Sequence, residues 1–183
     1  GFVWIYTQNG IDRFDGHTVK TYRIEDLPQS RDQILSSTRL ECDNFGVLWM
    51  AVKNGRLYRY YKGLDSFHLE MDLRKNHPGI SLYSICFPGS GTVALGTSEG
   101  IIFLTEGGEE ARYVTDRIVK AIAVKGTDAF WLGTDNGIFL LENGKVHGVA
   151  DDVDVASLLY EGGKLYVGTF SEGMKVVGDD GIL

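Results

Sequence analysis

Trp131-Leu132-Gly133-Thr134-Asp135-Asn136-Gly137-Ile138-Phe139-Leu140-Leu141 reads as two short apolar strands folded about an Asn-Gly turn, and nearly the same string returns elsewhere in the chain. Trp4-Ile5-Tyr6-Thr7-Gln8-Asn9-Gly10-Ile11 stands at the start and Trp49-Met50-Ala51-Val52-Lys53-Asn54-Gly55-Arg56-Leu57 in the first third, each with Trp six residues before the Gly. With that Gly as anchor, two more copies emerge: Ala94-Leu95-Gly96-Thr97-Ser98-Glu99-Gly100, and Tyr166-Val167-Gly168-Thr169-Phe170-Ser171-Glu172-Gly173 with one extra turn residue. The anchors Gly10, Gly55, Gly100, Gly137 and Gly173 are spaced by 45, 45, 37 and 36 residues. Five copies at a near-constant period mark a repeat architecture.

From the second copy on, another apolar run precedes each anchor, at 34–42, 81–87, 119–124 and 153–160. Downstream come a strand rich in aromatic and branched residues, such as Arg56-Leu57-Tyr58-Arg59-Tyr60-Tyr61, and another such as Ser66-Phe67-His68-Leu69-Glu70. Each repeat therefore holds four short antiparallel strands, A to D, and a period of ~40 residues with four strands is that of a β-propeller blade. The expected fold is all-β, with about five blades at 1–32, 33–78, 79–116, 117–150 and 151–183. The Asn-Gly pairs at 9, 54 and 136 are expected to form type I′ B–C turns, which need φ > 0 at two successive residues. Gly1 aligns with Gly46, the turn after strand A, and the chain stops at Asp180-Gly181-Ile182-Leu183. Blade one is thus expected to lack strand A and blade five most of strand D, as in a fragment of a larger ring.

Composition agrees with this class. Of 183 residues 43% are hydrophobic, and 24 Gly, 9 Tyr and 9 Phe against 3 Pro suit short strands and tight turns. A net charge of −7 without a basic block argues against nucleic-acid binding, which needs clustered Lys and Arg. No apolar run approaches the ~20 residues that span a bilayer, so this segment is not expected to insert in a membrane. Cys42 and Cys86 are too few for a disulfide framework and, lying in apolar runs, are expected to be buried free thiols.

The strings "GFVWIYTQNGIDRFDG" and "DNFGVLWMAVKNGRLYRY" resemble the two-component regulator propeller repeat. Its pattern is met by Gly1, Trp4, Thr7, Asn9-Gly10, Arg13-Phe14 and Asp15-Gly16, and again by Asp43, Gly46, Trp49, Asn54-Gly55 and Arg59-Tyr60. Tyr6 and Ala51 depart from it, standing where the pattern has Gly. The resemblance implies blades of a seven-bladed periplasmic sensor propeller in a Bacteroides-type hybrid histidine kinase that senses glycans. It implies as partners an oligosaccharide, the remaining blades and kinase of a homodimeric parent, and no cofactor. Other readings are a propeller enzyme, lyase or glycosidase, and a protein-interaction scaffold.

Trp4, Trp49 and Trp131 recur at one position of strand B, which we read as packing between blades rather than a sugar platform. His17, His68, His77 and His147 have no metal-site spacing, and Asp151-Asp152-Val153-Asp154 lacks the Gly and distal Glu of a calcium loop. No Gly-x-Ser-x-Gly elbow or phosphate cradle occurs, so no catalytic residue is expected. The face where D–A and B–C loops emerge gathers Gln8, Arg31, Lys53, Arg74, His77, Asp135 and Phe170 as candidate ligand-binding residues. Arg forks carboxylate or sulfate and an aromatic stacks on sugar, which suits an acidic glycan fragment. The inserted Phe170 either presents its ring there or tucks it inward, the ordinary fate of an apolar side chain.

Overall fold

The five repeats become five antiparallel meanders in a computed structural model that describes residues 1–7, 10–23, 38–89, 91–105, 110–178 and 181–182. Sheet 1 has three strands, β1 (Val3–Thr7), β2 (Gly10–Phe14) and β3 (Val19–Tyr22). Sheet 2 runs β4 (Thr38–Cys42), β5 (Leu48–Val52), β6 (Arg56–Tyr61) and β7 (Ser66–Asp72), followed by a 3-10 turn at Leu73–Lys75. Sheet 3 comprises β8 (Leu82–Gly89), β9 (Thr92–Thr97), β10 (Gly100–Thr105) and β11 (Glu110–Val114). Sheet 4 comprises β12 (Val119–Gly126), β13 (Ala129–Thr134), β14 (Gly137–Glu142) and β15 (Lys145–Asp151). Sheet 5 comprises β16 (Val155–Glu161), β17 (Lys164–Thr169), β18 (Met174–Gly178) and the two-residue β19 (Gly181–Ile182). No α-helix occurs among the described residues. Among the described residues sheet 1 has three strands and sheet 5 ends in the two-residue β19, in line with the repeat alignment.

A small hydrogen-bonded clasp explains why the repeat keeps Thr three or four residues before its anchor Gly. The hydroxyls of Thr7, Thr97, Thr134 and Thr169 donate to the carbonyls of Gly10, Gly100, Gly137 and Gly173 at 3.2, 2.9, 2.9 and 2.8 Å. Three of these oxygens also accept a turn amide, from Glu99, Asn136 and Glu172. The anchors have positive φ throughout, and a Cβ on Gly10 or Gly137 would stand 2.2 or 2.6 Å from the carbonyl oxygen of Tyr22 or Ala150. Glycine is required by both conformation and room.

The type I′ expectation fails at Asn54 and Asn136, neither of which has positive φ; only the following Gly turns left-handed. Thr134 pairs with Gly137, so the Thr hydroxyl closes a turn in which Asn need not be strained. Residues 143–144 do carry two positive φ values, 53° at Asn143 and 72° at Gly144, between the paired Glu142 and Lys145.

The chain forms two compact units, Gly1–Gly79 and Ile80–Leu183. In the second, β8, β12 and β16 run side by side as the first strands of their sheets. The Gly of each Gly-Thr pair permits this. A Cβ on Gly96 would meet the Val119 carbonyl oxygen at 2.4 Å, and one on Gly133 would meet Val155 Cγ1 at 2.4 Å. Trp131, Ile138, Val155, Leu165 and Val167 fill the core between sheets 4 and 5, and Ala94, Ile101, Phe130 and Leu132 that between sheets 3 and 4.

In the first unit, Trp4, Tyr6, Ile11 and Tyr22 of sheet 1 pack against Leu40, Met50, Val52, Tyr58, Tyr60 and Phe67 of sheet 2. The Trp4 ring centroid lies 4.8 Å from Tyr60 and 5.8 Å from Phe67. Beside the rings, the Asp65 carboxylate accepts from Arg13 at 2.7 Å, Lys20 at 2.5 Å, Tyr22 at 2.6 Å and Tyr60 at 2.5 Å. Hydrogen bonds from Lys20, Tyr22 and Tyr60 hold this carboxyl far below the usual carboxylate range.

The cysteines correct the expectation of burial: Cys42 is exposed and Cys86 half-buried. Cys42 closes β4 at the Asp43–Gly46 turn, where the strand runs out toward water. Partial desolvation and the carboxylates of Glu41 and Asp43 push its thiol up.

Candidate functional site

Main-chain ties put the two loop classes on one side of each of sheets 2 to 5. In sheets 3, 4 and 5 a residue of the turn after the second strand donates to the segment leading into the first: Ser98 to Ser81 at 2.9 Å, Asp135 to Ile118 at 3.3 Å and Phe170 to Asp154 at 3.1 Å. In sheet 2, Leu73 N–H donates to the Gly55 carbonyl at 2.9 Å, fastening the β5–β6 turn to the segment after β7.

Gln8 and Arg31 lie outside the described residues. Within the first unit Lys53 is half-buried in the β5–β6 turn, Arg74 is exposed on the 3-10 turn, and His77 is half-buried just beyond it. The Leu73–Gly55 tie brings these two segments together. The Arg74 fork is occupied by its neighbour: Nε donates to Asp72 Oδ1 at 2.8 Å and Nη2 to Oδ2 at 2.6 Å. Arg56 Nε adds a contact to the same carboxylate at 3.4 Å, and chiefly the Arg74 bonds hold the Asp72 carboxyl far below its ordinary range. An anion approaching Arg74 therefore competes with Asp72.

In the second unit Asp135 is exposed, but its Oδ1 accepts the Ile118 amide at 3.2 Å and stiffens the loop. Phe170 does not tuck inward. It is 67% exposed, because Thr169 closes its turn with Gly173 through both amide and hydroxyl, at 2.9 and 2.8 Å, and leaves the inserted ring outside. Over that ring sits the Lys120 ammonium, 4.8 Å from the centroid, donating to Asp154 Oδ1 at 2.5 Å. Lys120 is the second residue of β12, and Asp154 and Phe170 belong to the next repeat.

Sequence reasoning missed Lys120 and gave Asp154 no role beyond a string that fails as a calcium loop. They stand 34 residues apart, and only the side-by-side approach of β12 and β16 joins them. The three side chains present an aromatic face, a cation and an acceptor, a set suited to holding a ring with polar substituents rather than to bond-breaking. Among the described residues no three His, Cys, Asp or Glu gather as a metal would require.

The tryptophans face the sheets rather than this surface. Trp131 lies in the core between sheets 4 and 5, 6.3 Å from the Tyr160 ring, and Trp4 lies between sheets 1 and 2. Trp49 donates its indole N–H to Asp43 Oδ2 at 3.0 Å, with the Arg59 guanidinium 5.4 Å from its ring centroid.

No family model and no curated protein matches the chain at the sequence level. Solved structures do match. The extracellular domain of BT4673 from B. thetaiotaomicron, assigned to a hybrid two-component system, superposes with a TM-score of 0.75 at 13% identity, over 96% of this chain and 25% of that one. The corresponding domain of BT3049 from the same organism gives 0.75 at 19% identity, over 98% and 27%. Virginiamycin B lyase from Staphylococcus aureus, inactivated by a His-to-Ala change and bound to quinupristin, gives 0.77 at 15% identity, over 100% and 65%. The chain spans about a quarter of the length of the two-component extracellular domains. At such identities the likeness establishes the fold: the five sheets are β-propeller blades. No helix among the described residues is long and apolar enough to cross a membrane.

Proposed function

We propose that the chain is a ligand-recognition segment of an extracytoplasmic sensor propeller, part of a larger ring in a periplasm-facing hybrid two-component histidine kinase. The kinase lies outside this chain, the parent is a homodimer, and the signal is a glycan fragment taken up without chemistry. The repeat strings around Trp4 and Trp49 and the propeller likeness to two-component extracellular domains support this reading.

The observation that carries recognition is the exposed Phe170 ring beneath the Lys120 ammonium beside Asp154. Singly exposed apolar side chains occur elsewhere on the surface, as at Phe45, so what sets Phe170 apart is the Lys120 ammonium held over its ring by Asp154. Here the ring supplies a stacking surface and the ammonium a partner for a uronate or sulfate group. Asp135 lines the same side of sheet 4 and gives a further polar group there; in the first unit Lys53, Arg74 and His77 stand together by themselves at the loop end of sheet 2.

Titrating acidic oligosaccharides against the intact protein and its Phe170→Ala and Lys120→Ala variants tests this. Each substitution is expected to weaken binding at least about tenfold, the loss of one stacking or charge-assisted contact. Unchanged affinity in both variants would remove this face from consideration.

A further inference from the structure

The second unit holds a cleft that the loop face does not use. It has a volume of about 740 Å³ and lies at the opposite ends of sheets 3 and 4, among their A–B turns and the C–D turn of sheet 4. Specific small-molecule sites commonly occupy ~300–1,000 Å³.

Its floor is aromatic. The Phe103 and Phe130 centroids are 4.8 Å apart at 55°, and Tyr113 meets Phe103 edge-on at 5.9 Å and 83°. The space follows from small residues at set register positions. Phe103 lies between Ala94 on β9 and Ala111 on β11, so neither neighbour covers its ring, and Ala111 lines the opening. At the rim the Asn143-Gly144 turn passes Tyr113, where a Cβ on Gly144 would sit 3.7 Å from the phenol oxygen. Thr92, Asp128 and Asn143 complete the rim, with Asp128 and Asn143 exposed.

The charge pattern is the informative part. Among the described residues of the lining Asp128 is the one carboxylate and none is Lys, Arg or His. An anionic ligand would meet like charge here, the reverse of the situation at Lys120 and Phe170. Ring faces below and hydroxyl, amide and carboxylate groups above instead match a molecule with one apolar face and a fringe of hydroxyls.

We propose that this cleft is a second recognition site, which takes a neutral saccharide ring against the half-buried Phe103 and Tyr113 rings, with Phe130 buried beneath them and Asp128 and Asn143 bonding its hydroxyls. The site is independent of the acidic-glycan reading of the loop face.

The test is calorimetric titration of the intact protein with neutral gluco-, galacto-, manno- and xylo-configured oligosaccharides and their uronate counterparts. Three variants sort the outcomes. Ala111→Phe fills the cleft from an exposed position on β11, Asp128→Ala removes the rim acceptor from an exposed turn, and Phe170→Ala reports the loop face. The expected result is that at least one neutral oligosaccharide binds, at least tenfold more weakly to Ala111→Phe and several-fold more weakly to Asp128→Ala, with Phe170→Ala unchanged. Thermal melts of each variant confirm folding whether or not acidic glycans bind anywhere. Failure of every neutral sugar to bind, binding indifferent to Ala111→Phe in a folded variant, or equal affinity for the uronates would overturn the proposal.

Discussion

Sheets 1 and 2 of the first unit and sheets 3, 4 and 5 of the second repeat one sequence pattern yet are held together differently. In the second unit the first strands lie side by side because Gly96 and Gly133 carry no Cβ, and small apolar residues such as Val119 and Val155 seal the gap. In the first unit Tyr6 stands in that position and packs against the shared cluster, so sheets 1 and 2 meet through long side chains: the rings of Trp4, Tyr22, Tyr60 and Phe67, and the four donors around Asp65. One residue per repeat thus chooses between dry close packing and an aromatic layer with an ionic clasp.

The most damaging way to break this comparison is to place a side chain where the second unit has none. Gly133→Val puts carbon atoms inside the contact distance of Val155 and is expected to destabilise by about 3 kcal/mol in urea unfolding, the upper part of the range for overpacking. A loss under about 1 kcal/mol would show that sheet 5 yields easily and that the glycine does not set the spacing.

Next in size is the hydroxyl clasp. Thr134 is fully buried, so Thr134→Val leaves the Gly137 carbonyl and the Asn136 amide each short of a partner and is expected to cost about 1–2 kcal/mol. Sheet 2 carries Val52 at the corresponding position, so the fold survives the change; the measurement is the shift in melting temperature.

Acid separates the units by their carboxylates. In the first unit Asp15 accepts the amides of Thr18 and His17, which lower its carboxyl to about 2, and Asp65 and Asp72 are held lower still. A folded-state pKa depressed below the unfolded value of ~3.9 gives stability that is complete above that value and drains as pH falls through it. From about pH 5 to about pH 2 the amides of β2, β3, β6 and β7 are expected to lose hydrogen-exchange protection before those of β12 to β17. Simultaneous loss in both units would refute the distinction, and Asp65→Asn is expected to bring the first unit's loss to higher pH.

The smallest effect sharpens the picture from the other side. The Tyr6 hydroxyl is buried with no hydrogen-bond partner among the described residues, so Tyr6→Phe removes an uncompensated group while keeping the ring. It is expected to leave stability unchanged or raise it by up to about 1 kcal/mol. A clear loss would mean that the hydroxyl is held by an ordered water.

The repeat made the meanders, the three-stranded sheet 1 and the anchor glycines legible, because close backbone approach and positive φ leave glycine no substitute at Gly10 or Gly137. Turn type was not legible. Asn-Gly before Ile138 and Asn-Gly before Lys145 look alike, and the difference comes from the Thr134 hydroxyl, which can satisfy the first turn without a left-handed Asn. Cys42 was misjudged because its apolar run ends at a turn, and Phe170 stayed open between two positions because only the Thr169–Gly173 closure shows that the extra residue stands outside the turn. The Lys120–Asp154 pair and the Phe103 cleft join neighbouring repeats, and a period read along one chain says nothing about which side chains meet across it.

The closeness of β8, β12 and β16 also bears on how the second unit comes apart. Where each repeat touches its neighbour through backbone and Cγ atoms, the coupling between repeats is strong relative to what each holds alone, as in a short one-dimensional chain with stiff nearest-neighbour links. Opening sheet 4 removes a wall from both sheet 3 and sheet 5, so the three should fray as one block. The aromatic layer between sheets 1 and 2 has more slack, since long side chains can swing while still touching, and there the first strand to loosen need not bring its neighbour with it.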